Sequence, residues 1–121
     1  MEPVTAVHSL RELLIRLGLA VAIGAVLGIN RDLRGKPAGL KTHALVALGS
    51  SMLTVVSLAV ADGATADGNA VSRVIQGIIT GIGFLGAGVI LRGERGYSVH
   101  GLTTAASVWL SACLGIACGA G

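Results

Sequence analysis

Four apolar stretches, each long enough to cross a bilayer, constrain this 121-residue chain more than any other feature. A spanning helix needs about 20 mainly apolar residues, within a range of roughly 17 to 25. Such stretches run from Leu13 to Ile29, Ala44 to Ala61, Val74 to Leu91 and Gly101 to Gly121. None carries the polar stripe that a helix of a soluble bundle turns to water. Arg16 interrupts the first stretch, and a long cationic side chain near a helix end can extend its head group to the interface. Hydrophobic residues make up 53% of the chain against 12% charged, and glycines sit inside the apolar runs, a membrane habit. The expected fold is therefore an all-α integral membrane protein: one transmembrane domain over residues 1–121, four helices, no soluble domain. Residues 1–12 read as an interfacial or disordered lead-in. They do not resemble a cleaved signal peptide, because Glu2 and Glu12 as well as Arg11 precede the first apolar run and no convincing cleavage site follows it.

Charge sets the expected orientation. The connections from Asn30 to His43 and from Arg92 to His100 hold six of the nine Lys and Arg residues, which predicts both loops on the cytoplasmic side. The N-terminus is then expected outside. The net charge of +3 does not point to nucleic acid, since no basic face exists and only three aromatics are present. Cys113 and Cys118 are roughly 140° apart around a helix axis, so they are read as packing residues and not as a disulfide or metal pair.

Sliding the chain by 62 residues aligns Gly24–Leu48 with Gly86–Leu110, with eight identities that include a shared Gly-Leu-x-Thr-x-Ala beginning at Gly39 and at Gly101. Two helices separate the units, so both have the same orientation. This predicts two parallel-repeat helical hairpins about an axis along the membrane normal.

Gly81-Ile-Gly83-Phe-Leu-Gly86 matches the G-x-G-x-x-G letters, but that fingerprint binds a dinucleotide only after a strand and at a helix start. In the middle of an apolar run the glycines read as packing residues, because small residues let backbones approach where lipid supplies little hydrophobic drive. Gly24, Gly28, Gly77, Gly81, Gly83 and Gly86 are the expected packing positions, with Gly115/Gly119 a further small-x-x-x-small pair. A break of the third helix within Gly77–Gly88 is the other reading of that cluster. Hydroxyls at Ser50, Thr54 and Ser57, and at Thr104, Ser107 and Ser111, each fall on one helix face, turned to protein or, less simply, to a polar pathway. Thr42 is the expected cap of the second helix. Asp32 among cations, and Glu94 at the equivalent place in the repeat, suggest a cytoplasmic polar cluster of Arg31, Asp32, Arg34, Arg92, Glu94 and Arg95. His43 and His100 near the same surface are weak metal evidence. No catalytic, cofactor or metal residues are assigned, and no nucleophile and base lie together, so an enzyme is not expected.

Gly35 to Gly49 (GKPAGLKTHALVALG), Gly81 to Leu91 (GIGFLGAGVIL) and Gly101 to Trp109 (GLTTAASVW) resemble the MgtC/SapB membrane proteins. The resemblance implies a bacterial inner-membrane protein linked to growth in low magnesium and, in pathogens, to survival inside macrophages. It also implies a partner, since prominent members restrain the F-type ATP synthase and do not carry magnesium themselves. Other members have been labelled magnesium transport components. Two departures stand out. The family usually has Glu-Arg after the first helix, where this chain has Asn30-Arg31, and it commonly continues into a fifth helix and often a soluble domain. The expected function is thus a non-enzymatic membrane regulator working by helix contacts, with membrane lipid and a homo-oligomer or another complex as partners. A small ion transporter or channel, for magnesium or another cation, is the alternative.

Overall fold

The computed structural model describes residues 10–63, 68–92 and 101–121, with the side chains of 61–63, 68, 91 and 92 left aside. The described chain forms α1 (Leu10–Leu33), α2 (Leu40–Gly63), α3 (Gly68–Arg92) and α4 (Leu102–Ala120). All four are long and apolar enough to cross a membrane. At 1.5 Å per residue even the 19 residues of α4 reach about 28 Å, close to the thickness of a hydrocarbon core. Among the described residues there is no strand.

α1 stops because Gly35 takes a left-handed conformation (φ 66°) that few other residues adopt easily. Lys36 N–H then donates to Arg31 O (2.9 Å) and Gly35 N–H to Asp32 O (3.1 Å), the paired bonds of a Schellman ending. Pro37 follows and prevents the helix from resuming at once. α2 begins at Leu40 and α4 at Leu102, 62 residues apart, the shift seen in the sequence. The first backbone bonds agree, His43 N–H to Gly39 O and Ala105 N–H to Gly101 O.

The arrangement is a two-hairpin bundle. α2 and α4 occupy the middle and touch each other; α1 packs on both, α3 packs on both from the far side, and α1 and α3 do not meet. Equivalent glycines perform equivalent tasks in the two hairpins. A Cβ on Gly24 would lie 2.5 Å from His43 O, and one on Gly86 would lie 3.3 Å from Ala105 Cβ, the 62-residue counterpart. Gly28 rests against Gly39 and Leu40, just as Ile90 rests against Gly101. At the central contact α2 and α4 run in the same direction, so successive turns pair Ala47 with Gly115 and Ser51 with Gly119. Ser50, Thr54, Ser57, Thr104 and Ser111 are buried, so both hydroxyl stripes face protein.

Two expectations change. α3 is continuous through Gly77–Gly88, without a break. Gly77, Gly81 and Gly83 have nothing of the described chain within 4 Å of an added Cβ. They do not pack within the bundle, because the side of α3 that meets α2 and α4 is the one carrying Ile78 and Gly86.

Candidate functional site at the basic face

The polar groups that the fold draws together lie where α1 ends and α2 and α4 begin. Arg31 sits in the last turn of α1, where a cation suits the helix dipole, and it is only 7% exposed. Its Nη2 donates to Pro37 O (3.1 Å) in the α1–α2 connection and to Thr104 Oγ1 in α4. One guanidinium therefore ties three parts of the chain, and its Nε–H has no acceptor among the described residues.

Beside it, His43 is fully buried in the first turn of α2. Nδ1 lies 3.0 Å from Gly39 O and Nε2 lies 2.9 Å from Ser107 Oγ, so the ring joins α2 to α4. Gly39 O can only accept, which places a proton on Nδ1. Ser107 Oγ also lies 2.9 Å from Thr104 O, and its single proton cannot serve both neighbours. With a neutral ring the hydroxyl must turn to Nε2. Both ring nitrogens are engaged by protein, and among the described residues no group of three His, Cys, Asp or Glu side chains comes together.

Asp32 behaves differently from its expected place among arginines. Its Oδ2 accepts the N–H of Leu40 (3.1 Å), so the carboxylate caps the start of α2 from eight residues upstream. Thr42, the expected cap, lies inside the helix and is exposed. Arg34 is exposed and its Nε reaches only Asn30 Oδ1 (3.4 Å). Among the described residues no ion pair joins Arg31, Asp32 and Arg34; the one present is Arg16 with Glu12 at the opposite face, where Arg16 also donates to Gly119 O (2.7 Å). The side chain of Arg92, with Glu94, Arg95 and His100, lies outside the described residues. Capping outcompetes ion pairing at Asp32 because the Schellman turn brings its carboxylate against Gly39, leaving no room for a Cβ there.

This geometry reverses the tolerance that an ion-paired Asp32 would have. Asp32→Ala should destabilise the chain by about 0.5–2 kcal/mol, whereas Asp32→Asn should be nearly neutral because asparagine caps as well. Asp32→Glu should be worse than Asp32→Asn, since the longer side chain must fit the same contact with Gly39. Thermal melts of the three variants in one detergent check the order. Greater tolerance of glutamate than of asparagine would restore the ion-pair account.

Four membrane-length helices in two equivalent hairpins, with polar groups gathered at one end, define a multi-pass membrane protein. Residues 17–121 match the MgtC family, and the chain belongs to that family. It is 46% identical over 113 residues to Protein SrpB of Synechococcus elongatus, covering 88% of this chain and 62% of that one. It is 44% identical over 113 residues to Protein SapB of Bacillus subtilis, covering 91% and 48%. A third relative, 42% identical over 113 residues with 91% and 52% covered, is the "putative magnesium transporter YhiD" of Escherichia coli. The chain thus spans about half to three-fifths of the length of these relatives. No solved structure matches it at a significant level.

Proposed function

We propose that this chain is a non-enzymatic regulator of a bacterial inner membrane, which acts by helix contact with another membrane complex. The F-type ATP synthase is the complex to test, and adaptation to low magnesium and intracellular survival are the settings in which it would serve. The observation that carries the reading is the outer face of α3. Arg73, Gln76, Gly77, Thr80, Gly81 and Gly88 share one side of that helix and are all exposed. Within a hydrocarbon layer an amide and a hydroxyl beside unfilled glycines favour a second helix over lipid, since they offer both hydrogen bonding and close approach. The proposed orientation puts the basic face in the cytoplasm and the N-terminus outside. Cysteine labelling at Lys36 from the cytoplasmic side alone, in a chain lacking its two native cysteines, is the expected pattern; labelling from outside would reverse it.

The transporter alternative draws on the name given to YhiD and on Ser51 and Ser111, buried hydroxyls without a hydrogen-bond partner among the described residues. Against it, a Cβ on Gly119 would lie 2.6 Å from Ser51 O, so α2 and α4 meet backbone to backbone where a path between them would have to run. Proteoliposomes decide between the two readings. Magnesium, potassium and proton fluxes should equal those of empty vesicles, while the chain extracted in mild detergent should bring a membrane complex with it. A magnesium flux that scales with protein content would replace the regulator with a transporter.

A further inference from the structure

A cleft of about 430 Å³ opens at the basic face between the end of α1, the α1–α2 connection and the start of α4. Its walls are Arg31, Lys36, Pro37 and the segment Gly101 to Thr104. Among the described residues every charged side chain of those walls is cationic. The first helical bond of α4 is Ala105 N–H to Gly101 O, so the N–H groups of Leu102, Thr103 and Thr104 have no helical carbonyl to meet. They end a 19-residue helix whose dipole favours negative charge at this point.

A helix start alone would mean little. The second observation is Arg31, which is 7% exposed, keeps its Nε–H without an acceptor, and has no carboxylate partner among the described residues. Buried charges are ordinarily paired, and here the two bonds go to the neutral oxygens Pro37 O and Thr104 Oγ1, so beyond the helix dipole the guanidinium has no anionic partner among the described residues. Lys36, exposed on the opposite lip, adds a second cation.

We propose that this cleft binds a phosphate group, held by Arg31, Lys36 and the backbone N–H groups at the start of α4. A planar guanidinium beside a row of N–H donors suits the several acceptor oxygens of a phosphate. At a membrane interface that group arrives either as free inorganic phosphate or on an anionic lipid headgroup. Occupancy would join α1 to α4 across the bundle and so stabilise the folded chain.

The full chain in nanodiscs tests this with two probes. In phosphatidylcholine discs, inorganic phosphate is compared with chloride at matched ionic strength. In phosphate-free buffer, phosphatidylcholine discs are compared with discs containing phosphatidylglycerol. A rise of the melting temperature in the first arm identifies a free-anion site, and a rise in the second identifies a headgroup site. In either arm Arg31→Gln should abolish the rise, Lys36→Gln should weaken binding about tenfold, and Arg34→Gln, which lies outside the cleft, should leave it intact. Because Lys36 is exposed, its variant remains informative if Arg31→Gln does not fold. No rise in either arm overturns the proposal, and so does a rise that Lys36→Gln leaves unchanged. Glu94 is the repeat counterpart of Asp32 and could serve as an internal anion. If Glu94→Gln lowers the melting temperature as much as Arg31→Gln and neither probe has any effect, the carboxylate is the partner of Arg31 and the cleft binds no phosphate.

Discussion

Gly115→Leu is expected to abolish the native bundle. The added Cβ alone would lie 2.9 Å from Ala47 Cα and closer still to Ala47 O, so the clash is with backbone and no rotamer relieves it. Overpacking in a well-packed interior costs about 1–3 kcal/mol where side chains can shift, and a rigid opposing helix puts this site at or above the upper end. The contact also joins the two hairpins, so separating α2 from α4 removes what holds α1α2 to α3α4. Gly119→Leu should behave alike, because its Cβ would meet Ser51 O at 2.6 Å and Thr54 Cβ at 2.9 Å. Gly18→Leu is the control, since nothing lies within 4 Å there. Size-exclusion profiles and melts in detergent read the result. A sharp monodisperse peak with an unchanged melt for Gly115→Leu would mean that α2 and α4 do not cross where the structure places them.

The second large effect is expected outside the bundle. Gly81→Leu meets nothing in the described chain, and leucine improves on glycine inside a helix by up to about 1 kcal/mol. The isolated chain should therefore melt no lower than the unaltered one. Association is where the cost should appear, since the leucine fills the surface that the proposed partner helix would approach, and co-purification of that partner should fall about tenfold or more. Gln76→Leu should weaken the same contact by removing its amide while leaving the outline nearly unchanged. If both variants retain the partner in full, the face is covered by lipid and the regulatory reading loses its main support.

Much of this could be read from the letters. Hydropathy alone located the four helices, because backbone satisfaction in lipid leaves so few alternatives. The 62-residue shift made the starts of α2 and α4 equivalent, and the structure places them at Leu40 and Leu102, the first ahead of the Ala44 expected from hydropathy. The polar site was less legible. His43 reads as a loop residue until Asp32, eight positions upstream, is seen to start α2 at Leu40. Arg31 looks like any other cation of a basic loop, and its burial depends on Thr104, 73 residues away. The glycines illustrate a related limit. Gly24/Gly28 and Gly77/Gly81 have the same spacing, yet the first pair is pressed against α2 and the second faces outward, because spacing defines a helix face without naming its neighbour.

The hydroxyls buried along α2 bear on the order in which the chain is made. α2 is synthesised and enters the bilayer well before α4, its main polar neighbour, exists. Thr54 Oγ1 donates to Ser50 O (2.8 Å) and Ser57 Oγ to Thr54 O (2.8 Å), so both hydroxyls are satisfied within their own helix. Ser107 on α4 can do the same through Thr104 O. Each hairpin can therefore wait in lipid with these groups paired, and the late closure of α4 onto α2 need exchange no hydrogen bonds at Thr54 or Ser57. His43 differs, because its Nε2 has no partner until Ser107 arrives, which makes the basic end of the bundle the place where the newly made halves recognise each other.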